Sequence, residues 1–158
     1  MKSQPFSTAS EALPTNETQA ERAAFWERLG ILYVRIALGS AFLSPVADRF
    51  GLLGKHASWG NFANFTRYVA RVNSFMPAFT IPFLAWTSTA AETAFGILLI
   101  LGIWPRWVAF GSAILLFLFG TAMAISFGIK SPLDYSVFSA SAGALLLSLF
   151  EVRKSTVN

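Results

Sequence analysis

The run Trp86-Thr-Ser-Thr-Ala-Ala-Glu92-Thr-Ala-Phe-Gly96-Ile-Leu-Leu-Ile-Leu-Gly-Ile103 is long and apolar enough to cross a bilayer, yet it carries a carboxylate near its middle. About 20 apolar residues span the hydrocarbon core. A charge at the centre of such a helix costs about 2.5–3.5 kcal/mol on insertion scales unless it is paired or wetted. Any fold of this chain must therefore bring something to Glu92. Arg35 is the only other charged residue deep in an apolar run. At 1.5 Å per residue, Arg35 lies roughly 10 Å inside one membrane edge and Glu92 roughly 13–15 Å inside the other. In a core about 30 Å thick these depths nearly coincide, so the sequence predicts an Arg35–Glu92 pair.

Each charge has a glycine four residues on, Gly39 after Arg35 and Gly96 after Glu92. Residues i and i+4 share a helix face, and small residues let helices approach closely in lipid. Arg35/Gly39 and Glu92/Gly96 therefore read as facing stripes, with Ser88 extending the second. Two readings follow for these five residues. They form a register-locking ion pair, or they wall a polar cavity for a quinone-like head group or a proton relay.

Composition agrees with a membrane setting. Charged residues make up 13% of the chain, against about 25% in ordinary soluble domains. There is no cysteine, which removes disulfides, thiolate nucleophiles and iron–sulfur ligation on this chain. The single histidine, His56, cannot build a histidine-cluster metal centre, so no metal site is expected. Redox chemistry would need a bound organic cofactor, none of it covalently attached, or another subunit. The net charge is +4 with no basic run, so no nucleic-acid partner is expected.

The chain divides into a polar tail over 1–24, a four-span domain over 25–151 and a polar tail over 152–158. Residues 1–24 have almost no large apolar side chains and are expected to be disordered. No secretory leader is read there, since no apolar core follows Lys2. Spans are expected at about 29–47, 83–103, 107–127 and 133–150. Trp26 suits an interfacial anchor, and Pro45 should kink or end the first span. The long loop over 48–81 holds Trp59, Phe62, Ala63, Val69, Val72 and Met76 at helical spacing, with Asn61, Asn64, Arg67 and Arg71 largely elsewhere on the wheel. This predicts an amphipathic helix, either at the membrane interface or packed over the bundle. Ser131, Pro132 and Asp134 read as the capped start of the last span. The whole is an all-α membrane protein: a four-helix transmembrane bundle with an interfacial amphipathic helix in the first loop.

Five cations flank the spans on the terminal side (Arg22, Arg28, Arg106, Arg153, Lys154) and five on the other (Arg49, Lys55, Arg67, Arg71, Lys130). The positive-inside rule therefore gives no orientation. Asp48, Arg49, Lys130 and Asp134 gather at the non-terminal edge, as helix-end groups or as a charged mouth to the bundle. Ser136, Ser139, Ala140, Gly143 and Ala144 form a small stripe in the last span, read as helix packing.

The chain resembles the DoxX family of small bacterial membrane proteins. The resemblance rests on Arg35-Ile-Ala-Leu-Gly39-Ser-Ala-Phe-Leu43, on Ala91-Glu92-Thr-Ala-Phe-Gly96 with the following Gly102 and Arg106, and on Gly128-Ile-Lys130-Ser-Pro132-Leu-Asp134-Tyr-Ser136. It covers about residues 28–150. It implies a multi-pass protein of the bacterial cytoplasmic (inner) membrane with both termini cytoplasmic. The family takes its name from a subunit of a terminal quinol oxidase, and relatives are linked to thiosulfate:quinone oxidoreduction.

Three readings of function follow. The first is a redox-associated, quinone- or quinol-interacting membrane subunit with its ligand near Arg35 and Glu92. The second is a non-enzymatic scaffold or assembly partner, and the third is a small transporter. Expected partners are the lipid bilayer and other membrane or redox subunits, or a second copy of the chain.

Overall fold

The computed structural model describes residues 16–157. It is all-helical, with six α-helices and no strand among the described residues: α1 (Asn16–Arg49), α2 (Phe62–Val72), α3 (Ile81–Leu101), α4 (Pro105–Phe127), α5 (Lys130–Asp134) and α6 (Val137–Val157). α1, α3 and α4 are long and apolar enough to cross a membrane, and α6 adds a shorter apolar stretch over Val137–Glu151. These four form the bundle of a multi-pass membrane protein. Its outer surface is rich in exposed Phe, Leu, Ile and Trp, among them Phe83, Trp86, Leu101, Trp107 and Phe117. That surface suits lipid rather than water.

The helices form two closely packed pairs, α1 with α3 and α4 with α6. Contacts fix their directions. Arg35 meets Leu99, Gly39 meets Gly96 and Arg49 meets Thr89. One number rises as the other falls, so α1 and α3 are antiparallel. α4 and α6 are antiparallel as well: the Ser141 hydroxyl donates to the Ala113 carbonyl, and Phe138 lies against Gly120. The pairs join through a solid apolar core in the half nearer the chain termini, built on Ile31, Leu38, Leu99, Val108, Ala109, Ala144 and Leu147. The other half is hollow and is covered by α2.

Several expectations are corrected. α1 begins at Asn16, inside the stretch expected to be disordered; residues 1–15 of that stretch lie outside the described residues. At 1.5 Å per residue α1 is roughly 51 Å long, well beyond a hydrocarbon core of about 30 Å. Pro45 does not end it, and the helix runs on to Arg49. The last long helix starts at Val137 rather than near residue 133, because Ser136 adopts a left-handed backbone (φ 54°) and separates it from α5. Ser131 caps nothing: α5 starts after Ile129 with no side-chain cap. Within the small stripe, Ala140 and Ala144 join the core, but Gly143 has open space beside it.

α2 is the amphipathic helix of the first loop. Asn61 caps it by accepting from the Asn64 amide, one of the free donors of a helix start. Its buried face is Phe65, Val69 and Val72; Phe65 and Val69 cluster with Ile81 and Ala85 of α3, and Arg67 and Arg71 are exposed. Ala63 and Met76, expected on that face, are exposed.

Candidate functional site: a buried ion pair on the wall of an apolar cavity

Glu92 is buried at 3% exposure and is paired, but with Arg49 rather than Arg35. Arg49 Nη2 donates to both Glu92 carboxylate oxygens, at 2.8 and 2.7 Å. Its Nη1 donates to the Thr89 hydroxyl at 2.8 Å. That hydroxyl in turn donates to the Ala85 carbonyl. The Arg49 guanidinium lies 3.6 Å from the Phe65 ring centroid and 5.6 Å from that of Trp59, so α2 and the loop before it cover the cation with ring faces. Arg49 thus binds α1, α3 and α2 together.

The register of α1 on α3 explains why Arg35 fails to reach Glu92. A Cβ on Gly39 would lie 2.9 Å from the Gly96 carbonyl oxygen, and one on Gly96 would lie 3.1 Å from that of Gly39. The two backbones therefore cross here. In an antiparallel pair, four residues before this point means opposite directions along the two helices. Arg35 and Glu92 are each displaced roughly 6 Å from the crossing, and so stand roughly 12 Å apart along the axis. Side chains also lean toward their own helix N-terminus, which carries these two further apart. Arg49, ten residues past Gly39, sits roughly 9 Å beyond the level of Glu92. Here the same lean brings the two side chains together.

Arg35 serves the other end of α3. Its Nε donates to the Leu99 carbonyl at 2.9 Å, one of the last-turn carbonyls without an intrahelical partner. A cation there also complements the helix dipole. The guanidinium occupies the space a side chain on Gly102 would need, with Nη2 only 1.6 Å from the ideal Cβ position. Gly102 ends α3 in the left-handed region at φ 73°, a conformation that favours glycine.

Asp48 is buried and holds the loop ahead of α2. Its carboxylate accepts the backbone amides of Ser58 and Trp59 at 3.0 Å each and of Gly60 at 3.3 Å. Trp59 is thereby set beside Arg49. Lys130 and Asp134 pair with each other on the exposed side of α5. The expected edge cluster of Asp48, Arg49, Lys130 and Asp134 is therefore three separate arrangements, and its two buried members face inward. His56 is exposed in a short 3₁₀ turn.

Beside the Arg49–Glu92 pair lies a cavity of about 520 Å³ between α1, α2, α3 and α4. Its wall is mostly apolar: Phe42, Phe65, Val69, Leu84, Leu115, Leu116, Phe119 and Met123. Glu92, Arg49, Ser88, Thr87, Tyr68 and Asn73 supply its polar points. Of the candidates read from sequence, Glu92 and Ser88 line it, while Arg35, Gly39 and Gly96 lie outside it. Sequence reasoning missed Arg49 as the partner, and Thr89, Tyr68 and Trp59 around it. The signal for Arg49 was its place on the inward side of the last turn of α1. Burial pushes the Tyr68 phenol up from its ordinary value, with nearby Tyr135 adding and Arg71 opposing, so Tyr68 keeps its proton as a donor at neutral pH.

Arg49 Nε is buried and has no acceptor, alone among the buried side-chain polar atoms of the described residues. A cavity of this size falls in the usual range for small-molecule sites, which combine apolar walls with a few fixed polar groups. Among the described residues no group of three or more His, Asp or Glu side chains is placed to hold a metal ion.

No match is found among curated proteins or among solved structures. The family model described as DoxX matches residues 30–128, well over half of the chain. That stretch includes every residue lining the cavity, together with Arg49, Thr89 and Glu92. By this match, and with apolar helices suited to spanning a membrane, the chain belongs to the DoxX family.

Proposed function

We propose that this protein is a redox-associated membrane subunit that holds a quinone or quinol in the cavity between α1, α2, α3 and α4. The observation that carries the reading is a mostly apolar cavity between membrane-spanning helices whose wall holds a few fixed polar groups, among them Tyr68, Asn73 and the Arg49–Glu92 pair. Tyr68 and Asn73 offer polar contacts on that wall. A quinone fits this donor set: apolar body, uncharged head, carbonyl acceptors. When bound, it supplies the electron and proton chemistry that this chain's own side chains lack. Tyr68 and Asn73 orient the head group, while Glu92 and Thr89 hold Arg49, and Phe65 and Trp59 shield it from water. Electrons would come from a partner redox subunit. The bacterial inner membrane, with both termini cytoplasmic, is the setting this reading requires.

The test is binding of decylubiquinone to the purified protein in lipid nanodiscs. Saturable binding is expected, weakened at least tenfold by Tyr68→Phe/Asn73→Ala, which removes two polar groups of the cavity wall, and by Ala91→Trp, which fills the cavity. Absence of saturable binding, or equal binding by both variants, would defeat the proposal.

A second reading has its own observation. Both Glu92 oxygens and both Arg49 terminal nitrogens are already bonded within the protein. A scaffold in which this pair only locks three helices together needs no ligand. It is favoured if an apolar replacement of the pair retains full cellular function.

A further inference from the structure

The same cavity is covered on the loop side by α2, and its wall includes residues of the spans that are exposed. On the loop side α2 is fastened at several points. The Phe62 and Trp86 rings pack at a tilt with centroids 4.3 Å apart, Phe65 lies on Arg49, and the Ser126 hydroxyl at the end of α4 donates to the Val72 carbonyl at 2.5 Å. α3 and α4 meet where Phe95 fills the space over Gly111. Farther toward α2, Ser88 and Thr87 of α3 and Leu118 of α4 all line the cavity, so the two helices no longer fill the space between them. Leu118 is both cavity-lining and 56% exposed, and Thr87 is likewise exposed. Both lie within spans, where exposed surface meets lipid.

Resting on the head-group reading above, we infer that the ligand enters sideways from the bilayer past Leu118 and Thr87, and is an uncharged lipid-soluble amphiphile whose apolar tail stays in that opening. The charge state follows from the site. The Arg49 cation is already neutralised by Glu92, and an anionic head in the cavity would face the Glu92 carboxylate on its wall. An uncharged head meets Tyr68 and Asn73 on the wall without that repulsion, and a tail of apolar carbon matches both the wall and the lipid beyond it.

The chain has no cysteine, so one can be placed on the rim and capped after folding. Leu118→Cys protein is purified, alkylated with N-cyclohexylmaleimide and reconstituted into nanodiscs. Uptake of decylubiquinone is followed by quenching of tryptophan fluorescence against the unalkylated variant, with Thr87→Cys as an independent repeat. A Phe62→Cys/Trp86→Cys pair joined by a bismaleimide locks α2 onto α3 for comparison. The expected result is uptake at least tenfold slower with the rim label and unchanged with the lock. No slowing by the label at either position, or slowing by the lock, overturns lateral access while leaving cavity binding intact. Absence of binding by the unmodified protein overturns both readings.

Discussion

Gly39 and Gly96 face each other at the α1–α3 crossing, each so near the other's carbonyl oxygen that a methyl group would not fit. This contact sets the register of the two helices, and the register decides which cation reaches Glu92. The Arg49–Glu92 pair, the position of the cavity and the role left to Arg35 all follow from it.

Removing one member of a buried ion pair leaves an uncompensated charge, whereas replacing both with apolar groups is close to neutral. Glu92→Leu is therefore expected to cost about 3–5 kcal/mol, and the double change Arg49→Met/Glu92→Leu to recover most of it. Thermal unfolding in detergent, arranged as a double-mutant cycle, measures the coupling. Equal destabilisation by the single and double changes would show that the pair is not a clamp.

Gly39→Ala puts a methyl 2.5 Å from the Ile100 side chain and 2.9 Å from the Gly96 carbonyl. Overpacking of this kind costs about 1–3 kcal/mol. Gly143→Ala on α6 meets nothing within 4 Å and should stabilise by about 0.4–1 kcal/mol through helix propensity and unfolded-state entropy. Opposite shifts in melting temperature for the two variants are the expected signature.

Arg35→Ala removes the donor to the Leu99 carbonyl at the end of α3. The loss should be on the order of 1–2 kcal/mol. Since Arg35 does not line the cavity, decylubiquinone affinity should stay within twofold of the unaltered protein. A tenfold loss of affinity would place Arg35 in the binding site after all.

Asp48→Asn weakens the carboxylate that accepts three loop amides. The expected outcome is faster hydrogen exchange at residues 58–60 and a changed Trp59 emission, with α3 and α4 unaffected. Unchanged exchange in that loop would count against Asp48 as its anchor.

The raised Tyr68 value gives a pH dependence of stability. A group that holds its proton more tightly when folded contributes stability that is complete below its unfolded value, here 10.0, and lost as pH rises through the folded value. The docked α2 should therefore loosen in the alkaline range above 10.0. Tyr68→Phe should remove this alkaline loss, as read from melting temperature against pH. An unaltered alkaline profile in that variant would assign the effect to another group.

Membrane class, helical architecture and the requirement for a buried partner to Glu92 were legible in the sequence. Apolar run length and the cost of an intramembrane charge are local quantities that need no knowledge of neighbours. Even the close approach of Gly39 and Gly96 could be read, because glycine advertises it. The identity of the partner could not, because depth along a span does not include helix direction, crossing point or side-chain lean. Both Arg35 and Arg49 lie within a few turns of the level of Glu92, and only the antiparallel register separates a C-terminal cap from an ion pair. Likewise the amphipathic loop helix was visible in outline, but Phe65 and Tyr68 became cavity wall only once α2 was seated across α3 and α4. The cavity itself belongs to tertiary structure: it is the space left where two helix pairs pack solidly at one end and diverge at the other.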